Sequence, residues 1–129
     1  PGTLQAKFNF RYGTASTADA LRARVEDALR RHGLEYALDW DLSGEPFLTR
    51  DGALRRVAIE VLRERCDVVP ELSTGGGTSD GRFIAPLGAE VIELGPVNAS
   101  IHKVDEHVAV DELERLPGLY LAVAERLMR

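Results

Sequence analysis

Residues 3–12 alternate strictly between apolar and polar positions. Leu4, Ala6, Phe8, Phe10 and Tyr12 point one way, and Gln5, Lys7, Asn9 and Arg11 point the other. A period of two predicts a half-buried strand. Gly13 and Thr14 break it. Ser16, with Asp19 three residues on, reads as a capping box. The predicted helix behind it carries Leu21, Val25, Ala28 and Leu29 on one stripe and closes at His32-Gly33. Leu34, Tyr36, Leu38, Trp40 and Leu42 then alternate against Glu35, Ala37, Asp39 and Asp41, which predicts a second strand. Strand, helix and strand together predict half of a small α+β sandwich.

Ser43-Gly44-Glu45-Pro46 is the clearest boundary, and the pattern changes beyond it. It divides the chain into residues 1–48 and 49–129. From about Asp51, Leu54, Val57, Ala58, Val61 and Leu62 fall at helical spacing. Val68 and Val69 predict a short strand stopped by Pro70. Gly81 to Ala85 predicts a short helix, and Ala89 to Leu94 a buried strand. A last helix is predicted from near Asp111, with Glu114 as its capping-box partner. Its apolar stripe is Leu113, Leu116, Tyr120, Val123 and Leu127. Pro117 sits inside that stripe. An interior proline costs about 3 kcal/mol, so it either kinks the helix or marks its true start.

Composition narrows the function classes. With 129 residues the chain builds one compact domain or two very small ones. Its net charge is −5, and no basic block stands out, which argues against nucleic acid and against a charged membrane surface. No apolar run approaches the roughly 18 residues needed to span a bilayer. Cys66 is the single cysteine, so no intrachain disulfide forms, as expected of a cytoplasmic protein. The chain opens on Pro1 rather than Met, which we read as a piece of a longer polypeptide.

The chemistry-bearing residues concentrate in the second half. Thr74-Gly-Gly-Gly-Thr-Ser-Asp-Gly-Arg82 is followed by Gly95-Pro-Val-Asn98 and Ile101-His102-Lys103. Consecutive glycines before Thr and Ser can turn several backbone amides toward an anion. No Gly-Lys-Ser/Thr follows, so this is not a Walker A loop, and the dinucleotide G-x-G-x-x-G spacing is absent. A surface turn is the other reading, and Arg82 favours the anion cradle because a guanidinium suits carboxylates. His102 is a metal ligand, a base or a solvated loop residue by pattern alone. His32 closes a helix, and His107 has no evident partner. Arg11 reads as a solvated edge charge, and Cys66 as a packing residue. The three histidines lack the H-E-x-x-H spacing of a zinc helix.

Taken together, the run from Thr74 to Ala85, then Glu93-Leu-Gly-Pro-Val-Asn98, then Ile101-His-Lys-Val with Glu106, resemble the C-terminal part of the succinyl-diaminopimelate desuccinylase family. Phe8-Asn-Phe-Arg-Tyr12 and the stretch Asp39 to Thr49 are similar to it too, so the resemblance covers nearly the whole chain.

That resemblance implies an α/β (α+β) fold in two parts. Residues 1–48 would be the second half of a ferredoxin-like lid and dimerisation domain. Residues 49–129 would be the C-terminal segment of a three-layer zinc-metallopeptidase catalytic domain. It implies a parent enzyme with a dinuclear zinc centre, cobalt being an alternative metal. The parent would hydrolyse N-succinyl-LL-2,6-diaminopimelate to succinate and LL-2,6-diaminopimelate in the cytoplasm, as a homodimer joined through the lid. His102 matches a zinc ligand of the family. Arg11, Gly77, Thr78, Arg82 and Asn98 match substrate-holding positions. The remaining metal ligands and the catalytic glutamate have no counterpart here. The piece alone is therefore expected to be inactive and to bind no zinc tightly. The alternatives are a related zinc deacylase of the acetylornithine deacetylase kind and a non-catalytic dimerisation or binding module.

Overall fold

In a computed structural model that describes residues 2–75, 79–97 and 99–129, the chain forms two compact units, Pro1–Leu48 and Thr49–Arg129.

The first unit is organised by one helix, α1 (Ala18–Arg31). Its N-cap is Thr17, whose hydroxyl accepts from the Ala20 amide at 3.1 Å. The cap therefore lies one residue beyond the predicted Ser16. Asp19 in the first turn and Arg30 and Arg31 in the last complement the helix dipole. At the other end Leu34 N–H reaches the Leu29 carbonyl at 3.2 Å and Gly33 N–H the Arg30 carbonyl at 3.0 Å. These paired bonds need Gly33 at φ 64°, a conformation that glycine adopts without strain.

The strands predicted over 3–12 and 34–42 do not form. Among the described residues both segments lack regular secondary structure. Alternation marks which face is apolar, but a strand exists only through a ladder to a neighbour, and none pairs with either segment. The alternation still has consequences for packing. Phe8 meets Phe10 edge-on with ring centroids 5.7 Å apart, and Phe10 stacks on Trp40 at 6.5 Å. The Arg22 guanidinium of α1 lies 5.9 Å from the Trp40 ring. The Tyr12 hydroxyl donates to Glu45 at 3.1 Å, and desolvation followed by this bond holds the phenol above its usual range. Much of the apolar face stays in solvent, with Leu4 87% exposed.

The second unit is a helix pair, α2 (Ala53–Cys66) and α4 (Val110–Leu127). Between them in sequence come the one-turn helix α3 (Gly81–Ile84) and a 3₁₀ turn, Ala85–Leu87. Ala58 and Val61 of α2 and Leu119, Ala122 and Val123 of α4 form the buried core. Leu54, Val57, Leu62, Cys66, Ile92 and Leu116 pack around it. Val61 is wholly buried, as its place in the helical stripe predicts.

The predicted stripe on α4 needs correction. Leu113, Tyr120 and Leu127 are exposed, and Leu119 and Ala122 take the inner face with Val123. Pro117 does not start the helix, which runs through it from Val110 to Leu127. With no N–H at Pro117, the Leu113 carbonyl loses its intrahelical donor. The helix also lacks the predicted capping box, since its N-cap is Ala109 and makes no side-chain bond.

The strands predicted at Val68–Val69 and Ala89–Leu94 are likewise not formed among the described residues. Val69 is 71% exposed beyond the left-handed Asp67 that ends α2. The second segment is instead held by side chains. Thr49 donates its hydroxyl to the Val91 carbonyl, and Ile92 packs against the core. Among the described residues no helix is long and apolar enough to cross a membrane.

Candidate functional site

Of the six predicted site residues, Gly77, Thr78 and Asn98 lie outside the described residues. Arg11, Arg82 and His102 are placed. Arg11 belongs to the first unit, on the exposed segment before α1.

Arg82 stands in the first turn of α3. Two local bonds build that turn and a third closes the next. The Ser79 hydroxyl accepts from the Gly81 amide at 3.1 Å, the Asp80 carbonyl accepts from Phe83 N–H at 2.9 Å, and Gly88 N–H closes the following turn on Ala85 O at 3.0 Å. Ser73 accepts from the Gly75 amide at 3.0 Å on the near side of the glycine run. The serines flanking the run thus satisfy backbone donors that a glycine-rich segment leaves exposed. The Arg82 guanidinium lies over the Phe83 ring at 4.7 Å. Its Nε is buried with no partner among the described residues.

His102 sits in a loop fastened at both ends. Upstream, α4 holds the approach. The Glu112 carboxylate accepts from Val97 N–H at 3.0 Å, and the Tyr120 hydroxyl donates to the Leu94 carbonyl at 2.7 Å. The Ser100 hydroxyl then donates to the His107 carbonyl at 2.6 Å and accepts from the His107 amide at 3.0 Å. Inside this clasp Lys103 N–H closes a turn on Ser100 O at 3.0 Å. His102 occupies the third position of that turn with φ 59°. A non-glycine residue pays about 1–2 kcal/mol for such a backbone. Its imidazole is exposed, and no hydrogen bond of the ring is seen among the described residues.

Sequence reasoning left His107 without a partner. Its Nδ1 lies 2.6 Å from the Asp105 carbonyl, which requires the proton on Nδ1. Ser100 was not singled out at all. The only trace of its role in the sequence is a hydroxyl residue two places before the histidine, which is too common to be read alone.

The donors present do not make a metal centre by themselves. Among the described residues no three His, Cys, Asp or Glu side chains gather where they could hold an ion. A catalytic zinc needs about three protein ligands, so His102 supplies at most part of one. Nor do Arg82 and His102 line the open groove of about 890 Å³ beside the core, whose walls include Leu54, Ile92, Leu94, Tyr120, Val123 and Leu127. Most of the groove's walls are apolar, and its one charged lining residue is Glu93, whose carboxylate would repel a carboxylate substrate.

Comparison with known proteins gives the family of the chain. Residues 1–126 match the family model of peptidase family M20/M25/M40. The succinyl-diaminopimelate desuccinylase of Stenotrophomonas maltophilia strain K279a is 59% identical over 128 residues, covering 99% of this chain and 34% of that protein. The succinyl-diaminopimelate desuccinylases of Alkalilimnicola ehrlichii and of Xylella fastidiosa strain 9a5c are each 56% identical over 128 residues, with the same coverage of 99% and 34%. The chain spans about a third of the length of the curated relatives it matches.

Proposed function

The chain belongs to peptidase family M20/M25/M40, and from that membership we propose that it is the C-terminal part of a succinyl-diaminopimelate desuccinylase. The observation that carries this reading is the likeness to desuccinylases across 99% of the chain. The parent hydrolyses the amide of N-succinyl-LL-2,6-diaminopimelate on the cytoplasmic route to lysine and diaminopimelate. Zinc, with cobalt as an alternative, supplies the Lewis acidity when bound.

This chain's own residues bind and orient. Arg82 meets a substrate carboxylate through its guanidinium, and Arg11 meets another. Thr78, the backbone at Gly77 and Asn98 complete the hold. His102 contributes one metal ligand. A substrate with several carboxylates is chemically suited to two arginines and a glycine-rich segment.

Residues 1–48 are, in this reading, the second half of a lid and dimerisation domain, and 49–129 the C-terminal segment of the catalytic domain. The exposed apolar alternation of residues 4–12 supports that assignment, because such a face seeks neighbouring strands. The isolated chain should therefore self-associate, with a chromatographic mass above that of a monomer. A strictly monomeric chain at high concentration would remove this support.

The test of the activity is the product of the complete open reading frame that contains this segment. Loaded with zinc, it should cleave succinylated diaminopimelate in preference to acetylornithine. Preference for the acetylated substrate would favour the related deacylase. A reading frame without an upstream histidine, aspartate and glutamate metal set would favour the non-catalytic module.

A further inference from the structure

His102 and Asp105 both hold left-handed backbone inside the loop 100–107, at φ 59° and 60°. Aspartate tolerates that region through its short polar side chain. A histidine there needs the surrounding chain to hold it. The bonds that could do so converge on Ser100. Its carbonyl closes the turn in which His102 is the third residue, by accepting Lys103 N–H at 3.0 Å. Its hydroxyl both donates to and accepts from the backbone of His107, at 2.6 and 3.0 Å. The chain thus leaves one serine and returns to it. The Lys103 ammonium adds a bond to the Ala99 carbonyl at 2.6 Å, just outside the clasp.

The His102 ring has no hydrogen bond of its own among the described residues, so its direction is inherited from this backbone. A working histidine is ordinarily aimed by a partner on its second nitrogen. Here the aiming is done through the main chain. We propose that Ser100 is a positioning residue for His102, its hydroxyl fastening the two ends of the loop that presents the imidazole. The proposal rests on the reading of His102 as a working residue of the site. It predicts that the hydroxyl, not the size of the side chain, is what matters at position 100.

Ser100→Ala, Ser100→Thr and His102→Ala in the product of the complete reading frame test this. Ser100→Ala should lower kcat/KM by about ten- to a hundredfold, the usual cost of a slightly misplaced group. It should also speed hydrogen exchange at the His107 amide and shift or broaden the His102 ring resonances. Ser100→Thr keeps the hydroxyl and should restore all three. If Ser100→Ala leaves the His102 ring signals and kcat/KM unchanged while His102→Ala abolishes turnover, the proposal is overturned and the reading of His102 stands. If His102→Ala leaves turnover unchanged, that reading fails, and the ring signals of Ser100→Ala still report whether the serine aims the imidazole. Equal loss in the Ala and Thr variants would also overturn the role of the hydroxyl.

Discussion

The Glu90 carboxylate accepts the Leu54 amide at 2.7 Å, capping a helix from a residue 36 positions away. It also takes the Ala53 amide at 3.1 Å. The residue that should cap α2, Gly52, has no side chain to do so. A Cβ at Gly52 would lie 2.1 Å from Glu90 Oε1, inside the space the carboxylate fills. The backbone there is extended, so glycine is required by the approach of Glu90 and not by its torsion angle.

Two substitutions should therefore strike one interaction. Glu90→Ala removes the cap and should cost about 1 kcal/mol. Gly52→Ala should cost a similar amount, because its methyl pushes the flexible carboxylate off the helix. The double variant should lose little more than either single one. Urea denaturation of the four proteins measures this. Fully additive losses would show that Gly52 and Glu90 act separately.

The second prediction concerns acid. Arg126 of α4 donates to both oxygens of Glu64 on α2, one bond measuring 3.1 Å, and lies 3.9 Å from Glu60. The hydrogen bond to Arg126 is the main cause that holds the Glu64 carboxyl below its ordinary value. A carboxylate whose folded pKa is depressed adds stability above its unfolded pKa. That contribution is lost as pH falls through the folded value. Arg126→Gln should accordingly be less stable than wild type at neutral pH, and the two should converge in acid. Carbon-detected titration should find the Glu64 transition moving up toward the free carboxylate value in the variant. The pair is exposed, so the effect should also shrink with salt. An unchanged Glu64 titration would show that the pair is not populated in solution.

What could be read in advance divides by the range of the interactions. The stripe Leu54, Val57, Ala58 and Val61 predicted α2 well, because a helix satisfies its backbone within a few residues. Gly33 ended α1 for the same local reason. The alternation of Leu4, Phe8 and Phe10 was equally plain, yet no strand followed, since pairing depends on a partner outside the pattern. Thr17 displaced Ser16 as a cap by one position, a difference that two adjacent hydroxyl residues leave open. Arg82 and His102 stood out by residue type. Glu90 and Ser100, which hold a helix end and a loop from a distance, did not, because a side-chain bond to remote backbone leaves no period in the sequence.

The last prediction is that the 129-residue chain alone is inactive and retains no zinc. Binding that favours the folded state raises stability by mass action, so a tight site would show in the melting temperature. A lone imidazole on a loop offers one neutral donor, and the remaining positions around the ion would go to water. No cluster of three donors assists it among the described residues. Micromolar zinc should therefore leave the melting temperature of wild type and His102→Ala alike, and chelator should change neither. Desuccinylation by the purified chain should be undetectable. Zinc that stabilised wild type but not His102→Ala would overturn this, because it would require further ligands converging on that loop, from this chain or from a second copy of it.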